Sequence, residues 1–135
     1  MTTEGDDPRG QKAEPAAKEG DRVIGVDMHL VEGKPMPFPF EGKLDEALSP
    51  DVLFEDKPAA TVDTVAHNER THVPPPSKAF DKPPKHEGVV IEGSATVFVN
   101  DRPVARNGHK VETCSDPEDL PTGVVMAEGT VLVGD

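Results

Sequence analysis

A short phrase that recurs along the chain constrains its fold more than any bulk property does. Thr96-Val97-Phe98-Val99-Asn100-Asp101-Arg102-Pro103-Val104-Ala105-Arg106 is its complete copy. Asp51-Val52-Leu53-Phe54-Glu55-Asp56-Lys57-Pro58-Ala59-Ala60 is an earlier one. Thr130-Val131-Leu132-Val133-Gly134-Asp135 is a third, cut off at its turn. Each copy is a short apolar strand running into a tight turn, and the first two leave that turn through Pro-x-Ala. Asn100-Asp101 sits where a two-residue hairpin turn belongs, because both residues tolerate positive φ. The likeness extends upstream. Gly88-Val89-Val90-Ile91-Glu92-Gly93 precedes the second copy and Gly123-Val124-Val125-Met126-Ala127-Glu128-Gly129 the third, with Gly42-Lys43-Leu44 before the first. The expected fold is therefore all-β: short strands in three similar hairpin-like units with approximate threefold character. An ordinary small sandwich or barrel is the competing reading, in which repeated Thr-Val-x-Val phrases report only strand propensity.

Composition agrees with short strands around a thin core. The chain has 135 residues, enough for one domain. Its 15 Pro and 12 Gly punctuate rather than pack, and it has no Trp or Tyr. A core this thin makes a staple such as a metal plausible. The net charge of -12 disfavours nucleic acid and anionic membranes as stable partners, since both are held through Lys and Arg. No stretch approaches the roughly 18 apolar residues of a membrane span. The N-terminus lacks the pattern of a secretory signal, so assembly in the cytoplasm is expected. A single cysteine leaves no internal disulfide.

Along the chain, residues 1–20 are polar, charged and without periodicity, and read as a disordered acidic leader. The domain is expected to span 21–135. Val23, Gly25 and Asp27 alternate with Ile24, Val26 and Met28, which suits a strand buried on both faces. Pro35, Pro37 and Pro39 predict an extended, polyproline-like connection. A brief turn is expected at Leu44–Leu48. Residues 68–87 hold five prolines and predict a long loop of the kind that tends to be functional. Residues 115–122 form a second proline-punctuated loop.

His29, His67, His72, His86, His109 and Cys114 are the strong nitrogen and sulfur ligands, and they are dispersed. His29 follows the first strand, His72 and His86 lie in the long loop, and Cys114 follows the second copy. Equivalent loops of a three-unit fold converge at one end, where three imidazoles and one thiolate make a closed, structural zinc site. On the residues alone the competing reading stands beside it: solvent-facing loop histidines and a small buried thiol. Asp27-x-His29 reads as an imidazole-orienting pair or as strand-end chemistry. A thiol nucleophile at Cys114 is disfavoured, because Glu112, Asp116, Glu118 and Asp119 raise a neighbouring thiol pKa. No phosphate loop, nucleophile elbow or paired metalloprotease histidines occur.

Taken together these phrases resemble the PAAR-repeat proteins, the spike tips of contractile injection machines. The Pro-Ala-Ala-Arg motif stands here as Pro103-Val104-Ala105-Arg106 and, without its arginine, as Pro58-Ala59-Ala60-Thr61. The PAAR-like branch of extracellular contractile injection systems is similar at Asp27-Met28-His29, Pro37-Phe38-Pro39-Phe40-Glu41-Gly42 and Leu48-Ser49-Pro50-Asp51-Val52-Leu53. Thr71-His72-Val73-Pro74 and Thr113-Cys114-Ser115-Asp116-Pro117 extend the likeness. The resemblance covers residues 21–135. It implies a compact cone whose broad base docks on a trimeric β-helical spike, one cap per trimer, and whose tip is pinned by one Zn2+. It puts His29, His72 and Cys114 at ligand positions. Where similar chains carry a histidine, this one has Phe38. His86 is the expected fourth ligand, with His67 the alternative. Val52, Val97 and Val131 are expected on strands near the spike-docking base. The implied role is mechanical, at the tip of a secreted or extracellular particle that meets a target membrane only transiently and can carry cargo effectors. The alternative is a small metal-dependent toxin or hydrolase domain.

Overall fold

A computed structural model describes residues 13–134 of the chain. The strands in order are β1 (Glu14–Pro15), β2 (Arg22–Val31), β3 (Lys34–Glu46), β4 (Leu53–Phe54), β5 (Lys57–Pro58) and β6 (Val65–Asn68). They continue with β7 (Glu87–Val90), β8 (Phe98–Val99), β9 (Arg102–Pro103), β10 (Lys110–Thr113), β11 (Leu120–Met126) and β12 (Leu132–Val133). No helix occurs among the described residues. Six strands close into an antiparallel barrel in the order β10-β11-β2-β3-β6-β7. The other six form three two-stranded ribbons, β4-β5, β8-β9 and β1-β12. The fold is all-β, as the repeats predict; barrel closure is what the repeats alone do not state.

The third ribbon completes the truncated third phrase. Its returning strand comes from Glu14-Pro15, which pairs with Val133 and Leu132. Residues 13–20 were expected in a disordered leader; instead they supply the missing Pro-x-Ala as Pro15-Ala16-Ala17. The correction has a simple cause. The third unit is split between the two ends of the chain, so a linear search for repeats sees only half of it. Residues 1–12 lie outside the described residues.

Symmetry then appears bond by bond. The Ala17 amide donates to the Ala105 carbonyl at 2.9 Å, Ala60 to Ala17 at 3.0 Å, and Ala105 to Ala60 at 3.0 Å. These three alanines are fully buried and form a closed ring of backbone hydrogen bonds about the pseudo-axis. After each ring residue the chain makes the same turn. The side chains of Asp21, Thr64 and His109 accept from the amides of Lys18, Thr61 and Arg106 at 3.0, 3.0 and 3.1 Å. The third residue of each turn has positive φ: Gly20 at 87°, Asp63 at 78° and Gly108 at 90°. Each turn then donates to the strand below, to Leu44, Val90 and Val125, at 2.9 Å in all three cases. In the two continuous ribbons the turn residues Glu55-Asp56 and Asn100-Asp101 all have positive φ, the geometry that matches strand twist.

Two sequence expectations change. The segment with Pro35, Pro37 and Pro39 is strand, not connector, paired with β2 from Lys34 to Lys43. Met28 and Leu30, opposite Pro37 and Pro35, use their backbone groups on loop residues Ser115, Asp116 and Asp81, away from β3. The prolines therefore sit at positions where no ladder donor is needed, as on an edge strand. β2, in turn, is buried on one face only. Val23, Asp27, His29 and Val31 face inward while Ile24 and Val26 are exposed. A barrel wall has one interior side, so the alternation is that of a half-buried strand.

The main core gathers Val23, Phe40, Leu44, Val90, Val111 and Val125 around the alanine ring. A second cluster of Ala16, Ala59, Val99, Val104 and Val133 lies under the ribbons.

Candidate metal centre

At the end of the barrel away from the ribbons, three segments converge and bring four candidate side chains. Asp27 and His29, two residues apart on β2, point to the same side by strand alternation. His72 comes from the loop between β6 and β7, and Cys114 directly follows β10. All four are buried. Asp27 Oδ2 is the common neighbour. It lies 3.9 Å from His29 Nε2, 3.8 Å from His72 Nε2 and 3.7 Å from Cys114 Sγ. Cys114 Sγ and His29 Nε2 are 3.9 Å apart. Ligand bonds of about 2.0–2.3 Å at tetrahedral angles put donors about 3.4–3.6 Å from one another around zinc. Contraction by a few tenths of an ångström would bring each of these four measured pairs to that spacing.

The polar accounting points to a cation. Asp27 Oδ1 and His72 Nδ1 are buried without a hydrogen-bond partner. Burial pushes the Asp27 carboxyl up from its ordinary value, against hydrogen bonds from Thr113 and Cys114 that lower it. The Cys114 thiol is pushed up by burial and then by the Asp27 charge. His72 is lowered, chiefly by burial, which favours its neutral imidazole; its Nε2 meets Pro39 O at 3.0 Å and Asn68 Nδ2 at 2.9 Å, contacts a bound ion would have to replace. A divalent ion reverses the penalty on the carboxylate and thiolate at once. Asp27, His29 and His72 therefore form a buried set that could hold a metal ion. Asp116 Oδ2 lies 3.4 Å from His29 Nδ1, in position to orient that ring.

The structure sorts the sequence candidates. It sets His29 Nε2, His72 Nε2 and Cys114 Sγ each within 3.9 Å of Asp27 Oδ2. Asp27, His29 and His72 form the tightest grouping of ligand atoms among the described residues. His86 stands outside that grouping. Its ring is 5.3 Å from that of His72, and its Nδ1 is buried without a partner. His67 is on the outer barrel wall against Asp45. His109 caps a turn. Phe38, opposite Asp27 in the β2–β3 register, packs on His29, His72 and Phe80 at centroid distances of 5.7, 5.3 and 5.2 Å. It walls the site with an apolar ring. The candidate ligand that sequence reasoning missed is Asp27, read there as an orienting partner or strand-end chemistry; its signal was the same-face spacing Asp27-x-His29. For catalysis the centre is poorly disposed: a buried thiol with a raised pKa is a weak nucleophile.

The fold is thus a small pseudo-threefold β-barrel with three ribbons at one end and a buried candidate metal-ligand cluster at the other. Residues 81–135 match the family model for the PAAR motif. That segment is similar to a PAAR motif domain. No curated protein matches the chain.

Proposed function

We propose that this chain is the single cap of a trimeric, valine-glycine-repeat-type spike, docking through its ribbon end and carrying its metal centre at the opposite tip. The observation that carries the reading is the outward row of the three ribbons. Leu53, Phe98 and Leu132 occupy the same position in the three units and are 56 %, 56 % and 51 % exposed. Strand alternation turns their neighbours the other way, so Val52 and Val131 pack onto the second cluster. Val97 is the half-exposed member of that expected docking set. In this reading the anchors are therefore Leu53, Phe98 and Leu132, one residue along from the valines.

Three equal apolar anchors on one chain match three identical sockets on a homotrimer. Large exposed apolar side chains disposed this way favour an interface over free surface. One monomer can cover three strand ends that would otherwise stay open to fraying or aggregation. The spike-tip domain in this reading takes in residues 14–20 as well as 21–135. One zinc ion, on Asp27, His29, His72 and Cys114, orders the proline-rich tip loops, which have little core of their own. The role is mechanical: a narrow rigid point concentrates force on a target membrane, with no turnover. Assembly on the spike in the cytoplasm precedes delivery at the particle tip, and cargo can travel with it.

The experiment is a binding titration of the trimeric spike with Leu53→Glu, Phe98→Glu, Leu132→Glu and the triple variant. Each single change is expected to weaken binding at least tenfold, and the triple change to abolish it, with melting temperature unchanged. Full binding by the triple variant contradicts this docking face.

A further inference from the structure

The third ribbon is built differently from the other two. β5 and β9 each follow their partner strand through a two-residue turn, Glu55-Asp56 and Asn100-Asp101. β1 and β12 come from opposite ends of the sequence, so no turn ties Glu14 to Val133 across their pair. A return strand on a two-residue turn stays beside its partner when its hydrogen bonds break. β1 is tethered only at its far side, through Gly20 and Asp21 to β2, so it can move away, and its return closes a much longer loop. Gly20 suits a hinge. Its φ is 87°, and no atom lies within 4 Å of where a Cβ would stand.

Polar contacts do most of the holding. The buried residues of the segment are Ala16, Ala17 and Lys18, and two alanine methyl groups bury little apolar surface. The amide of Ala16 donates to the Val131 carbonyl at 2.8 Å; those of Ala17, Glu19 and Gly20 donate to Ala105, Pro58 and Leu44, each at 2.9 Å. Two amides elsewhere donate back to the segment, Ala60 to the Ala17 carbonyl at 3.0 Å and Asn107 to the Pro15 carbonyl at 2.9 Å. Lys18 is the clamp. Its Nζ donates to Asp21 Oδ1 at 3.2 Å and to the Glu128 carbonyl, which joins the segment to the connection between β11 and β12. The equivalent positions hold Thr61 and Arg106, so this lysine belongs to the split unit alone. Segments with few buried apolar contacts open at lower free energy than the core around them.

We propose that residues 14–20 are a detachable latch: they leave and re-enter the fold while the barrel and the other two ribbons stay closed, and the third ribbon presents Leu132 to the spike only with the latch in. Pro15 stands opposite Leu132 in the β1–β12 pair, so opening removes the support under one docking position of the three. Lys18 is the positioning residue for that contact. Linkage is reciprocal: a spike that binds only the latched form must hold the latch closed. The docking half rests on the capping role proposed above; the opening itself does not.

The test is amide hydrogen exchange of the full-length chain, read residue by residue by NMR and corrected for intrinsic rates. The pseudo-threefold supplies matched controls: Ala16, Ala59 and Val104 donate equivalent bonds, to Val131, Val52 and Val97, at 2.8, 2.9 and 3.0 Å. Ala16, Ala17 and Glu19 are expected to exchange about tenfold faster, or more, than Ala59, Val104 and Ala105. Ala60 and Asn107 should join the fast group, because their acceptors leave with the latch. Val62, whose acceptor is the Pro103 carbonyl, should stay slow. Lys18→Met should speed the fast group about tenfold further and leave the Val90 and Val125 amides unchanged. Saturation with the trimeric spike should slow Ala17, Ala60 and Asn107 about tenfold or more. Equal exchange at Ala16, Ala59 and Val104 overturns the latch, and so does a fast Ala16 beside slow Ala60 and Asn107, which is fraying of the strand end. Spike binding that leaves Ala17 and Ala60 exchange unchanged overturns the docking half. If the spike does not bind the parent chain, the capping role fails, and the free-chain pattern still decides the latch.

Discussion

Leucine in place of Ala17, Ala60 or Ala105 is expected to destabilise the protein by about 1–3 kcal/mol at each position. Near the midpoint this corresponds to roughly 4–12 °C in melting temperature for a domain of this size. All three side chains are fully buried where the backbone hydrogen-bond ring closes. Extra methylenes there must displace the ring or force neighbouring side chains off their rotamers. Equality among the three is the informative part. Ala17 lies in a segment that reads as leader from sequence, and a leader substitution would leave the melting temperature untouched. Thermal denaturation of the three variants decides it. A silent Ala17→Leu beside damaging Ala60→Leu and Ala105→Leu would remove residues 14–20 from the fold.

Asp27→Ala and Cys114→Ala are each expected to abolish tight metal binding and the stability that comes with it. An ion present at a thousandfold excess over its dissociation constant stabilises by about 4 kcal/mol, so the melting temperature should fall by more than 10 °C at saturating metal. His86→Ala should keep the ion, since His86 stands outside the ligand grouping. Retention in Asp27→Ala with loss in His86→Ala would reverse the assignment. The pH dependence follows from the direction of the shifts. Asp27 in the metal-free fold has a raised pKa, so above the ordinary value of 3.8 the fold holds a proton that the unfolded chain has released. That contribution to stability fades as pH rises through the raised value. Metal binding needs the carboxylate and the thiolate, so the ion is favoured as pH rises and lost on acidification. With the Cys114 thiol pushed above 9.0, at least one proton should leave per ion bound at pH 8. Calorimetry in buffers of different ionisation enthalpy measures that release. Zero release would mean Cys114 is not a ligand.

Much of this architecture is legible in residue order because the repeated phrases carry their own turn chemistry. Asn100-Asp101 and Glu55-Asp56 mark the ribbon turns, and the apolar runs mark the strands. The third unit is hidden because its halves lie at opposite ends of the chain, and pairing of Pro15 with Leu132 is a tertiary fact. The proline strand misleads for a physical reason. Proline forbids a ladder bond only where one is needed, and alternation places Pro35, Pro37 and Pro39 on the side of β3 facing away from β2. The metal centre is half legible. His29, His72 and Cys114 are visible as ligand types, but the fourth position of the proposed site depends on which side chain β2 turns inward. Asp27 shares the face of His29, while the absent histidine is replaced by an apolar wall, Phe38, rather than by another imidazole. The proposed docking row shows the same limit. A run such as Val52-Leu53-Phe54 is apolar throughout, and only the packed second cluster tells which face remains outside.

Native mass spectrometry of the chain mixed with its trimeric spike addresses the capping claim most directly. The account predicts one chain per spike trimer, with one zinc ion bound in the buried centre, and no complex with the Leu53→Glu/Phe98→Glu/Leu132→Glu variant. Three chains per trimer, or no complex with the parent protein, would contradict it.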